Sequence, residues 1–425
     1  MLKLIVVYEK CAGIWQKVLY CCLLTFFCLT ICAVPACPAY EEPPVLQAKS
    51  ILQPELLKGK NHSVQDKVIN DGLFNHYTVE TSFGTFKAGS TGDLKNLVNE
   101  INAIAAMKQV ETDDTMIEGL KQSGQKTITG VENLFSDPQG TLEGAVSGVG
   151  SLFNRAKETV GKRETTDAED SKFKQLVGIS KAKGEIATKY GVNVYSRNKV
   201  LQEELDRLGQ ADYLGGLGVG VASSFVPGVG GLVLSTSGAA RLLNEAINTT
   251  PASELWLQNK NKLVGMGMNV DTVELFLNNP SFSPALSTVL VAALDSMKGV
   301  ENRELFIKVA LQAGDFDMAK TITKIAVMSA GYHKEIKSFK SFTSMARLTQ
   351  GVRKDGTRVV LLPTDYIIWN KRVAVAVTSV SKEAKENGIE LWVVGSLSKQ
   401  ATSELKKQGW KIHTEANSQL LPSRK

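Results

Sequence analysis

The sequence predicts a mainly α-helical protein, a bundle or irregular array, with a short N-terminal β-hairpin and a small C-terminal α/β module of βαβαβ order. Three observations carry that prediction. Apolar residues recur at helical spacing from about Asp93 to residue 350, one pair of alternating runs flanks Ser82-Phe83-Gly84, and only after Gly351 do short apolar runs alternate with helical ones. The implied divisions are an export segment over 1–39, a linker and N-terminal segment over 40–75, and the hairpin with amphipathic helices over 76–165. A helical domain over 171–350, containing a Gly-rich hairpin at 213–247, and the α/β module over 351–425 follow.

A chain of 425 residues with 43% hydrophobic and 22% charged positions has ordinary globular composition, which excludes a disordered protein. The formal charge is +6; the export segment holds Lys3, Lys10, Lys17 and Glu9, so the body carries +4. Basic residues are interleaved with acidic ones and no basic–aromatic patch appears, so nucleic acid is not an expected partner. All six cysteines, at 11, 21, 22, 28, 32 and 37, precede the body, which therefore has no disulfide framework, zinc-finger spacing or cysteine nucleophile. The histidines His62, His76, His333 and His413 show no ligand spacing, and no metal or cofactor is expected.

Residues 1–17 carry three lysines, 18–34 are an apolar core and 34–39 are small or Pro: the order of a secretory signal peptide. Cleavage follows Ala39, or follows Ala36, where Val34-Pro35-Ala36-Cys37 would act as a lipobox and Cys37 would carry lipid. An uncleaved anchor from Ile14 to Val34 is the third alternative. Each sends the body across the inner membrane, to the periplasm or to a lipid-anchored or N-terminally anchored form.

Pro43, Pro44 and Pro54 mark a linker, and Tyr77–Thr81 with Thr85–Ala88 form the hairpin. Asp93 is the expected N-cap of a helix reaching about Val110, with Leu94, Leu97, Val98, Ile101, Ile104 and Ala105 on its apolar face. A second helix spans Thr115–Phe135 and stops at Asp137-Pro138; a third carries a stripe from Leu142 to Val160. Tyr195, Ser196 and Asn198 then form a polar cluster read as turn and cap chemistry at the start of another helix.

The run from Leu214 to Ala240 has no charge, and Pro227-Gly228 breaks it near the middle. Each half is about a dozen residues, short of the roughly 20 that span a bilayer. A buried αα-hairpin with Gly216, Gly220 and Gly230 against close neighbours is the main reading, and a membrane-inserting hairpin is the alternative. A phosphate-cradling loop is the last alternative, disfavoured because no strand precedes Gly215-Gly216-Leu217-Gly218 and no Lys-Ser/Thr follows it. Helices of a bundle continue from Pro251, with no 34-residue repeat that would make a solenoid.

In the α/β module the strands are TRVVLLP, ELWVVGS and KIHTEA. Ligands of such sheets bind at the carboxyl ends of the strands, which here present Asp365, Ser396 and Ser398, with His413 nearby in the module. Ser398 also suits a helix cap. Asp365, Ser396 and His413, all in this module, form the only grouping that contains an acid, a hydroxyl and an imidazole, and they underlie a hydrolase alternative; no nucleophile elbow, Walker loop or HExxH occurs.

Through DGLFNHYTVETSFGTF, TLEGAVSGVGSLF, YGVNVYSRNKVLQEELD and the Gly-rich hairpin, the chain resembles a family of uncharacterised exported bacterial proteins with no established activity. The resemblance implies export and a shared architecture, not a chemistry. The expected function is a non-catalytic binding or scaffolding component of the cell envelope, partnered by another envelope protein or the membrane surface. A membrane-active protein is the second expectation and a hydrolase the third.

Overall fold

The computed structural model describes residues 40–110, 167–213, 238–345, 348–384 and 388–421. The expected export segment with Cys37, the two helices expected between 115 and 160, and Gly216, Gly220, Pro227, Gly228 and Gly230 lie outside the described residues.

The first element is a sheet where the sequence suggested a linker and one hairpin. Five antiparallel strands are present: β1 (Val45–Gln47), β2 (His62–Val64), β3 (Lys67–Asn70), β4 (Asn75–Thr81) and β5 (Gly84–Ala88). β4 is the centre: β5 lies along one edge, and β3 and then β2 pair with successive parts of the other. Along β4, Asn75, Tyr77 and Val79 point inward and their neighbours outward, the period of two that a half-buried strand requires. The turn into β5 is two residues long, and Gly84 follows it at φ 122°, a conformation that L side chains rarely adopt. Strands β1 to β3 escaped the sequence reading because each is three or four residues long with only one or two inward side chains, too few to display a period.

α1 (Thr91–Met107) packs its Leu94, Leu97 and Ile101 face on that sheet, against Val68, Tyr77 and Val79. Ser90, not Asp93, is its N-cap: Ser90 Oγ accepts from the Asp93 N–H at 3.0 Å, which places Asp93 in the first turn. Further along, Ile104 and Met107 meet Leu201, Leu205 and Leu208 of α3 (Lys199–Tyr213), which runs beside α2 (Asp167–Lys189). α4 (Gly238–Thr249) closes on α2 where Gly184 faces the Asn248 carbonyl; a Cβ there would collide with backbone. Then come α5 (Ala252–Gly265), α6 (Val270–Leu277), α7 (Pro284–Ser296), α8 (Glu304–Ala310) and α9 (Phe316–Glu335). Asn269, Ser283 and Asp315 cap α6, α7 and α9.

The end of the chain is a five-stranded mixed sheet in place of a small βαβαβ module. Its order is β12-β10-β8-β7-β6, from β6 (Phe339–Met345), β7 (Leu348–Arg353), β8 (Arg358–Leu362), β10 (Ile389–Val393) and β12 (Trp410–His413). β8, β10 and β12 are parallel, crossed by α10 (Lys371–Ala384) and α11 (Lys399–Lys407), while β6 and β7 add an antiparallel half. The two short strands β9 (Tyr366–Ile367) and β11 (Ser396–Leu397) pair at the carboxyl end. Position 351 falls inside β7. Alternation on β8 and β10 divides two cores: Val359, Leu361 and Trp392 pack with Tyr332 of α9, and Val360, Leu391 and Val393 pack with Val377 and Leu405. The Glu390 carboxylate links the first face to α9, accepting from the Tyr332 hydroxyl at 2.9 Å, Arg353 at 2.7 Å and the Trp392 indole at 3.1 Å. Two sheets of five strands, one antiparallel and one mixed, overturn the expectation of a mainly helical fold with minor β content. Among the described residues no helix is long and apolar enough to cross a membrane.

Candidate functional site

The sheet edge expected to hold a ligand is occupied by the protein's own backbone. Asp365 Oδ2 accepts from the Asn75 N–H at 3.0 Å, and both carboxylate oxygens accept from the Thr91 N–H, at 3.1 and 3.0 Å. Burial raises the Asp365 pKa, and these hydrogen bonds oppose the rise without cancelling it. The Asp365 carbonyl accepts from the Ser396 N–H at 3.0 Å, and Gly395 lies so close to that carbonyl that a side chain could not fit. Ser398 is the N-cap of α11, accepting from the Ala401 N–H at 2.9 Å. His413 lies flat on Trp392, with ring centroids 4.0 Å apart. Among the described residues no hydrogen bond joins the side chains of Asp365, Ser396 and His413, so no proton relay runs through them.

A cleft of about 520 Å³ opens instead between α1, the turn before α3, and the facing ends of α7 and α9. Its size is that of a small-molecule site. The α1 wall presents Asp93, Asn96, Asn99 and Glu100, which helical spacing brings onto neighbouring positions. Glu100 is gripped from the opposite wall: Ser196 Oγ donates to Oε1 at 2.6 Å and Asn198 Nδ2 donates to Oε2 at 3.1 Å. Ser196 and Asn198 also perform the turn and cap chemistry expected of them, since Ser196 Oγ accepts from the Asn198 N–H and Asn198 Oδ1 from the Leu201 N–H. Burial holds the Glu100 carboxyl above the usual glutamate range, and its two donors only moderate that.

The other groups differ in how far their bonding capacity is used. Asp93 meets Lys320 at 2.8 Å and Lys324 at 3.3 Å; burial alone would raise its pKa, but the two lysines hold it below the ordinary value. Asn99 is only 3% exposed and donates through Nδ2 to the Gly191 carbonyl at 2.9 Å, leaving Oδ1 buried without a partner. Asn96 Oδ1 is likewise unpartnered. Arg197, between the two residues that hold Glu100, lies over the Phe316 ring at 4.1 Å and has no hydrogen bond or ion pair among the described residues. Burial pushes the Tyr195 hydroxyl up to about 12, so it stays protonated.

Sequence reading missed Asn96, Asn99, Glu100 and Arg197. One signal was present: Asn96, Asn99 and Asn102 recur every third residue in α1, although asparagine is poor at holding a helix interior. The arrangement is one of acceptors and a cationic lip. Ser196 has no imidazole beside it, and its hydroxyl is fixed between Glu100 and the Asn198 N–H. Among the described residues no group of three or more His, Cys, Asp or Glu is placed to hold a metal ion. Comparison with known proteins finds no family model, no curated protein and no solved structure that matches this chain.

Proposed function

We propose that this is an exported, non-catalytic binding protein of the cell envelope that takes a small polar ligand in the cleft beside α1. The observation that carries the reading is the Asn99 amide oxygen, buried at a cleft wall with nothing donating to it. A buried acceptor left unpaired costs about 1–3 kcal/mol, a cost that a ligand N–H or O–H would remove. Asn96 Oδ1 repeats the pattern one helical turn away. Export is supported by the lysine-flanked apolar segment at the N-terminus and by the resemblance to exported bacterial proteins.

The test is a thermal-shift screen of the protein against amino acids, short peptides, sugars and nucleosides. A ligand at about 100 times its Kd stabilises the folded state by roughly 2.7 kcal/mol. At least one compound should raise the melting temperature of the unmodified protein and fail to do so for Asn99→Leu. A full screen without such a compound removes the reading. Flotation of the signal-free protein with liposomes would instead favour the membrane-active alternative.

A further inference from the structure

We propose that the ligand is a zwitterion of the short-peptide class, its ammonium group seated on Glu100, Asn96 and Asn99 and its carboxylate held by Arg197. This rests on the cleft being a binding site and adds the chemical class of what fills it.

The floor of the cleft contains two carboxylates in unlike conditions. Asp93 is neutralised by Lys320 and Lys324. Glu100, seven residues further along the same helix, is in no ion pair among the described residues, and both its oxygens are held by neutral donors. A desolvated carboxylate without a counter-charge attracts a cation. Beside it stand the Asn96 and Asn99 amide oxygens, each lacking a donor. Both amide oxygens are buried in the empty cleft, and a small rotation of each amide toward Glu100 would give three acceptors on one helical surface, matching the three N–H bonds of a primary ammonium.

The lip has the opposite character. Phe316 supports the Arg197 guanidinium from one side, and the planar fork keeps its donors unengaged. That geometry fits a carboxylate with two parallel hydrogen bonds. Ser196 and Asn198 both reach Glu100, which anchors the intervening Arg197 backbone at the cleft wall, while its guanidinium lies over Phe316 with Asp315 and Asp317 as its charged neighbours. Leu97, Val192 and Leu286 form the apolar wall between, which suits an aliphatic side chain. The volume of about 520 Å³ exceeds what one amino acid needs and accommodates two or three.

Other classes leave a group unmatched. A sugar would satisfy the amide oxygens but neither charge, a nucleotide would bring phosphate to Glu100, and a polyamine would meet Arg197 with its own charge.

Calorimetric titration of the unmodified protein with leucyl-leucine, its N-acetyl form, its C-terminal amide and the doubly blocked form tests this without any variant. The free dipeptide should bind, and each block should weaken it roughly tenfold or more, as loss of one partner of a desolvated charge pair does. Glu100→Gln should abolish the preference for a free amine, and Arg197→Gln the preference for a free carboxylate. Equal binding of free and doubly blocked dipeptide would overturn the zwitterion while leaving the cleft as a site. So would saturable binding of a neutral sugar that Asn99→Leu removes. Absence of saturable binding by all four peptides at millimolar concentration would overturn it too, with the cleft itself judged by the thermal-shift screen.

Discussion

Asp365 and Glu100 are both partly buried carboxylates whose pKa is raised by desolvation, and each accepts hydrogen bonds from two residues. Their donors set them apart. Those of Asp365 are the backbone N–H groups of Asn75 and Thr91, so the carboxylate is a structural clasp between the N-terminal sheet, α1 and the β8–β9 connection. Those of Glu100 are the side chains of Ser196 and Asn198, and the rest of its surroundings is an open cleft with unpartnered acceptors. Asp365 is thus fixed by main-chain N–H groups, whereas Glu100 is held by two side chains at a cleft wall, the arrangement on which the proposed ligand site rests.

Four substitutions would break or sharpen this contrast. The largest effect belongs to Asp365→Ala, which strands two backbone donors: a loss of about 3 kcal/mol is expected in denaturant unfolding. Asp93→Asn comes next, leaving Lys320 and Lys324 facing each other, with a loss of about 2 kcal/mol at neutral pH. Because the Asp93 pKa is depressed in the fold, its contribution is present above the ordinary aspartate range and disappears as pH falls through the depressed value. Denaturation midpoints of Asp93→Asn and the unmodified protein should therefore converge in acid.

Glu100→Gln should behave oppositely, holding or raising stability by roughly 1 kcal/mol at neutral pH while weakening ligand. The raised Glu100 pKa means that the fold favours its protonated form, so the unmodified protein loses stability as pH climbs from the ordinary glutamate range through the raised value. Its difference from Glu100→Gln should open over that interval and vanish in acid. Lys87, Asp93, Arg197, Lys199 and Lys320 line the same cleft, so the comparison is made within one background at fixed salt. A clear loss of stability in Glu100→Gln at neutral pH would make Glu100 a clasp like Asp365. The smallest effect is expected for Arg197→Gln, whose exposed stacking on Phe316 is worth about 0.5 kcal/mol; a loss above 2 kcal/mol in thermal unfolding would place Arg197 in the framework.

Legibility in the sequence followed the length and regularity of each element. The face of α1 was readable because Leu94, Leu97, Ile101 and Ile104 cover about three helical turns, and all four are buried. β8 and β10 stood out through their apolar stretches Val359–Leu362 and Leu391–Val393, as expected of strands covered on both faces. β6 did not, because a bulge between Phe339 and Ser341 sets its inward aromatics, Phe339 and Phe342, three residues apart, which mimics a helical period. The cleft was hidden for another reason. Glu100 and its donor Ser196 lie 96 residues apart, and no local pattern records that pairing.

The clasp at Asp365 also orders events in time. Asn75 and Asp365 are separated by 290 residues, and Asn70 reaches the Tyr366 carbonyl across 296. Closing so large a loop has an entropic cost that grows with its length, and contacts of this separation form late. The first sheet and α1 share a core of their own between residues 46 and 101, but its tie to the second sheet waits for both partners. The tie between β4, α1 and the β8–β9 connection is therefore a late step of folding, made after the local contacts within each sheet.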